Sequence, residues 1–145
     1  MHSTFTNQII FFMKLIRYVA FVAVAVMMAM TTACGSSDKA LDLAVEEINK
    51  QLEGQKMPGI EKMSLSADEG YIVYNYVVDE DQADLSVMKE SAAEQKAQVK
   101  AQVISAPAQQ KFVQLVKLSD RGIKFSYKGN KSGDSYEIVF ENNEL

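Results

Sequence analysis

An apolar run that stops at a lone cysteine sets the limits on what this chain can fold into. Every residue from Tyr18 to Met30 is apolar, no charge appears between Arg17 and Asp38, and Cys34 is the single cysteine of the 145 residues. The 16 residues between Arg17 and Cys34 fall short of the about 20 that a helix needs to cross a bilayer core. A transmembrane anchor is therefore disfavoured. Lys14 and Arg17 precede the run and the small residues Thr31, Thr32 and Ala33 close it, which is the three-part organisation of a secretory signal. Residues 1–33 are expected to be an address rather than a structural element. Residues 1–12 carry no Lys or Arg and push the basic pair away from the terminus, so Met13 is the expected true start.

Thr31-Thr32-Ala33-Cys34, followed by Gly35-Ser36-Ser37, resembles the lipobox of bacterial lipoproteins, in which a diacylglyceryl group is added to the cysteine sulfur before cleavage. The resemblance covers residues 13–38. Thr31 stands where that pattern usually carries Leu, which leaves open ordinary cleavage after Ala33 with a free thiol. A buried structural role for Cys34 is the poorest reading, because its polar neighbours give it no core to join. The resemblance implies fatty acylation such as palmitate at Cys34, a membrane partner through that lipid, and residues 34–38 as a short tether. Asp38 is the one acid near the cysteine, whereas runs of acids there resemble signals for the outer cell surface. The expected location is the bacterial outer membrane, with the domain facing the periplasm.

Without residues 1–33 the chain keeps 112 residues, enough for one domain that buries roughly two-thirds of its unfolded surface. A single α+β domain is expected over residues 39–145. It carries 13 Lys+Arg, since Lys14 and Arg17 leave with the signal, and 19 Asp+Glu, for a net charge of 13 minus 19, or −6. That sign disfavours attraction to phosphate backbones, so nucleic acid is not an expected partner. With no second cysteine, stability must come from apolar packing rather than an internal disulfide.

Leu41, Val45, Ile48 and Leu52 recur at steps of four, three and four and line one helix face, with Ser37 or Asp38 to cap its start and Gly54 its end. Residues 55–60, holding Pro58-Gly59, read as a loop, after which Met63 and Leu65 alternate with Ser64 and Ser66 as a short strand. Asp68-Glu69-Gly70 turns the chain into YIVYNYVV, residues 71–78, where Ile72, Tyr74, Tyr76 and Val78 share a face; the two strands should form a hairpin. Leu85, Met88, Ala92, Val99 and Val103 then fit one helical stripe, thinned where Gln95 or Lys96 replaces an apolar residue, so this helix is expected to pack only in part. Pro107 opens a further helix bearing Phe112, Leu115, Val116 and Leu118, with Gly122 to close it. Ile123, Phe125 and Tyr127, a GNKSGD turn, and Tyr136, Ile138 and Phe140 make a second hairpin. The order αββααββ implies a two-layer sandwich: a four-stranded, mainly antiparallel sheet with its helices on one face.

At VEEINKQL, YNYVVDED and GIKFSYK the chain resembles a loose group of small exported or membrane-attached bacterial domains of unknown function, over most of residues 41–141. Members often carry a Pro after Asn-Lys-Gln-Leu and two late cysteines. Here Glu53 replaces the Pro and both cysteines are missing. The group has no assigned activity, so the resemblance carries no catalytic role over to this chain.

The chemistry available is narrow. His2 is the one histidine, inside or upstream of the signal, so the domain has no imidazole base, no Ser-His or Cys-His pair and no ligand set for a structural zinc. Asp79, Glu80, Asp81 and Asp84 lack the Gly and the distant Glu of a calcium-binding hand, and acids ahead of a helix suit its N-terminal dipole, so capping is preferred over metal binding. GNKSGD joins two strands instead of leading into a helix, so it reads as a hairpin turn and not a phosphate loop. Tyr71, Tyr74, Tyr76, Tyr127 and Tyr136 lie on strands and can present a ring and a wet hydroxyl to a sugar or peptide, although alternation favours most of them covering the core. No cofactor, metal or catalytic residue is expected. The reading is a lipid-anchored envelope module that binds a protein or glycan without catalysis. The alternative is an envelope hydrolase working with two carboxylates.

Overall fold

The first helix forms where the apolar spacing places it. A computed structural model describes residues 37–145, in which α1, Ser37–Leu52, buries Leu41, Ala44, Val45, Ile48 and Leu52. Gly54 beyond its end has φ 76°, the left-handed conformation that closes a helix at little cost in a residue without a Cβ. Cys34, the signal of residues 1–33 and most of the tether lie outside the described residues.

The strands are β1 (Ile60–Ala67), β2 (Tyr71–Val78), β3 (Gly122–Gly129) and β4 (Ser135–Phe140), ordered β1-β2-β3-β4 in one sheet. β1 and β2 pair antiparallel through the expected turn, where the Asp68 carboxylate accepts from the Gly70 and Tyr71 N–H groups at 2.8 and 2.6 Å. β3 and β4 form the second antiparallel hairpin. The central pair corrects the expectation: β2 and β3 run parallel, with Tyr71 opposite Gly122 and Val78 opposite Gly129, so the sheet is mixed. Residues 79–121 carry the chain from the end of β2 back to the end where β2 began, and a strand that starts there must run in the same direction.

The crossover is built from α2 (Leu85–Glu90), α3 (Ala92–Val99), a π-helical turn Lys100–Ile104, a short 3-10 turn Pro107–Gln109, and α4 (Gln110–Leu118). Thus the single helix expected before Pro107 is divided. Ser91 lies at the break, and its hydroxyl donates to the Val87 and Met88 carbonyls at 3.2 and 3.1 Å, occupying acceptors that end α2. Gly122 does not close α4. Asp120 takes the left-handed conformation there, at φ 55°, while Gly122 is the first residue of β3, where a Cβ would collide with the Phe140 carbonyl and the Tyr71 ring.

The interior collects Leu65, Ile72, Tyr74, Tyr76, Val78, Ile123, Phe125, Tyr127, Tyr136, Ile138 and Phe140 from the sheet. The same cluster takes Leu41, Ile48, Met88, Val99, Phe112 and Val116 from the helices. Alternate strand residues, among them Ser66, Asn75, Lys124 and Lys128, stay outside it. Among the described residues no helix is long and apolar enough to cross a membrane.

Candidate functional site

Four of the five tyrosines singled out in the sequence line the core. Tyr74, Tyr76, Tyr127 and Tyr136 are all buried. Alternation along β2, β3 and β4 points them inward, and register brings them together. Tyr76 stacks on Tyr127 at 4.9 Å, and Tyr127 on Tyr136 at 4.8 Å, while Tyr74 stacks on Phe125 at 4.7 Å. Burial pushes all four phenols above their ordinary ionisation range, because a phenolate would lose its hydration. Their rings fill the core. Tyr71 alone reaches the surface, where its hydroxyl donates to Glu141 at 2.8 Å and the Lys124 ammonium sits 4.6 Å from its ring centre.

The acidic segment after β2 divides into separate structural roles. Asp84 caps α2, accepting from the Ser86 and Val87 N–H groups at 3.0 and 3.3 Å. These bonds and the Ser86 hydroxyl hold its carboxyl below the ordinary range, the hydroxyl contributing most. Asp79 accepts from the Asp81 N–H and from the Gln82 amide. Glu80 reaches across to the β3–β4 turn, where its carboxylate accepts from the Lys131 N–H at 2.7 Å, the Ser132 N–H at 2.7 Å and the Ser132 hydroxyl at 2.6 Å. In return Asn130 accepts from the Glu80 N–H at 3.1 Å and donates to Glu61 at 2.7 Å. GNKSGD is therefore a hairpin turn, as expected, but one wrapped around the Glu80 carboxylate at the surface. Gly129 leaves the room: a Cβ there would sit 2.6 Å from the Glu80 carboxyl. This clamp joins residues about fifty positions apart, and no local pattern signals it.

Asp81 pairs with Lys131 at 2.5 Å in solvent. Among the described residues no three acids, histidines or cysteines converge in a way that could hold a metal ion. A shallow depression between the end of α1 and β1 is lined by Leu52, Gln55, Met57, Ile60, Lys62 and Met63, so no carboxylate faces it.

What the fold offers to other molecules is the uncovered side and the edges of the sheet. Ser64, Ser66, Asn75, Lys124, Ser126 and Lys128 project there, with Ser135, Glu137 and Val139 from β4. Lys124 pairs with Glu137 at 3.5 Å. On the β1 edge, the Asn49 side chain of α1 accepts from the Leu65 N–H at 2.7 Å and donates to the Leu65 carbonyl at 2.8 Å. No family model, no curated protein and no solved structure matches this chain.

Proposed function

We propose that this protein is a lipid-anchored module of the bacterial cell envelope that binds a partner without catalysing a reaction. It would be attached to the outer membrane through Cys34 and face the periplasm. The observation that carries the reading is the sequence around Cys34: a basic pair, an apolar run too short to span a bilayer, three small residues and the cysteine, followed by a polar tether. A small acidic domain needs such an anchor to stay at a membrane, since each methylene buried from an acyl chain adds about 0.8 kcal/mol.

The non-catalytic half of the reading draws support from where the acids are used. Asp84 caps a helix, Glu80 organises a turn, and Glu144 accepts from the Glu141 N–H at 2.8 Å in a capping box. A hydrolase working with two carboxylates needs a facing pair across a cleft, and the depression beside β1 is lined by Leu52, Met57, Ile60 and Met63 with Gln55 and Lys62, none of them a carboxylate.

Growth with a labelled fatty acid, followed by membrane fractionation, tests the anchor. Label on the wild type, and its loss with release into the soluble fraction or failure of processing in Cys34→Ala, is the expected result. An unlabelled, soluble chain beginning at Cys34 would show that it was cut as an ordinary secreted protein.

A further inference from the structure

We propose that the outer edge of β4 is a docking site for an extended segment of a partner protein, one carrying two basic residues four positions apart with an apolar residue midway. The proposal deepens the interaction-module reading and rests on its binding half, not on the lipid.

The direction of the backbone groups follows from the ladder. Gly122 N–H donates to the Gly70 carbonyl and Asn130 N–H to the Val78 carbonyl, at 2.9 and 3.0 Å, so the even-numbered residues of β3 turn toward β2. The Gly129 N–H donates to the Asp134 carbonyl at 2.8 Å, so the odd-numbered residues turn toward β4. In an antiparallel pair, bonded and non-bonded positions alternate. Tyr136, Ile138 and Phe140 therefore bond inward to their partners Tyr127, Phe125 and Ile123. Ser135, Glu137, Val139 and Glu141 then present N–H and C=O outward. The Glu144 carboxylate occupies the Glu141 N–H at 2.8 Å. Among the described residues no hydrogen bond reaches the outward groups of Ser135, Glu137 and Val139.

The two edges differ in this respect. On β1 the central outward residue, Leu65, has both backbone groups taken by Asn49, which interrupts that edge. The β4 edge is free from Ser135 to Val139, and a row of free donors and acceptors is a template for another strand.

The side chains of the same residues select the occupant. A strand added there places its own side chains directly across from Ser135, Glu137, Val139 and Glu141, on the uncovered side of the sheet. Glu137 stays 49% exposed beside Lys124, which lies 3.5 Å from one of its oxygens, and Glu141 is exposed although one oxygen accepts from the Tyr71 hydroxyl, so both favour a further cation opposite, while Val139 between them favours an apolar, β-branched residue. A second copy of the chain fits poorly. Two-fold pairing centred on Glu137 would set that carboxylate against its own counterpart, a like-charge pair that destabilises a ladder.

The test uses the processed protein in detergent micelles and a capped seven-residue peptide with lysine second and sixth, valine fourth and threonine elsewhere. Amide hydrogen exchange, read by NMR, is expected to slow about tenfold or more at Ser135, Glu137 and Val139 at saturating peptide and to stay unchanged at Leu65. A peptide with glutamates in place of the lysines should give no protection. Val139→Pro, which removes an outward donor and leaves the β3 ladder intact, should abolish the effect, and Glu137→Lys, which leaves Glu141 in place, should erase the preference between the two peptides. Unchanged exchange at millimolar lysine peptide overturns the proposal. So do amides already slow in the free protein, which would mean the chain closes its own edge, or amides that slow with protein concentration alone, which would mean a second copy binds there. Fatty-acid labelling of the same sample reads the anchor separately, so failure of one reading is not mistaken for failure of the other.

Discussion

The Tyr136 hydroxyl donates to Oε1 of Gln95 at 2.8 Å inside the core, tying β4 to α3. Gln95 is buried, and its amide nitrogen donates to the Met88 carbonyl at 2.6 Å and the Ser91 hydroxyl at 2.8 Å. One side chain thus joins the end of α2, the start of α3 and the sheet. Two other strand residues away, the Tyr76 hydroxyl is buried with no hydrogen-bond partner among the described residues.

These two phenols predict opposite responses to the same substitution. Tyr136→Phe leaves the Gln95 oxygen buried and unsatisfied and should cost about 1–3 kcal/mol, whereas Tyr76→Phe removes an unpaired hydroxyl and should be neutral or stabilising. Urea denaturation of both variants checks the contrast. Equal losses would mean that Tyr76 has a partner after all.

Gln95 also shows where a sequence reading loses the fold. At that position the helical stripe lacks an apolar residue, and this suggests a helix that packs only in part, yet the residue is buried because its polar ends find partners on other elements. The faces of β2, β3 and β4 were legible because period-two alternation is local. It is equally compatible with parallel and antiparallel neighbours, so the β2–β3 direction depended on where the crossover returns. The alternation of β1 becomes legible only from Met63, because the register slips between Ile60 and Lys62 and the bulge hides it at the strand's start. For the tyrosines, alternation favours the core, and Tyr74, Tyr76, Tyr127 and Tyr136 lie in it; the Glu80 clamp and the edge plug at Asn49 depend on contacts far apart in sequence and leave no local sign.

Substitutions on the two sides of β3 and β4 should separate cleanly. Ile138 and Phe125 are buried, and replacing either by Ala should cost about 2–5 kcal/mol. Lys128 is exposed on the uncovered side, and Lys128→Ala should change stability by less than about 0.5 kcal/mol. Denaturant midpoints measured on the three variants check the assignment of faces, and similar shifts for all would contradict it.

The Glu80 clamp should open in acid. Its carboxyl is held below the ordinary value of 4.5, first by the Ser132 hydroxyl and then by the Ser132 and Lys131 N–H groups. Because the folded pKa lies below the unfolded one, the stabilisation is complete above that ordinary value and is lost as pH falls through the folded value. The amide signals of Lys131 and Ser132 should therefore titrate together below pH 4.5. Glu80→Gln should leave them insensitive over that range, and Gly129→Ala should disturb them at every pH by crowding the carboxyl. Titration centred above the ordinary value would show that the clamp does not favour the ionised form.

Asn49 is expected to act as a substitute for a neighbouring strand. Its amide meets both backbone groups of Leu65 in the pattern that a paired residue would use, with an acceptor toward the N–H and a donor toward the carbonyl. Each such bond contributes about 0.5–1.5 kcal/mol, and the side chain also denies the middle of β1 to any other chain. Asn49→Ala should therefore do two things: lower stability by roughly 1–3 kcal/mol for the two lost bonds, and expose a continuous outward row at Met63, Leu65 and Ala67. Asn49→Asp distinguishes the two parts of the role, because a carboxylate still accepts from the Leu65 N–H but cannot donate to its carbonyl and sets a charge beside it. In hydrogen exchange, the Leu65 amide should become fast in Asn49→Ala and remain slow in Asn49→Asp. Sedimentation should show concentration-dependent self-association for the alanine variant and much less for the aspartate, whose charge guards the edge. If the Leu65 amide exchanges at the same rate in the wild type and in Asn49→Ala, the side chain is not holding the strand, and β1 is protected by something other than α1.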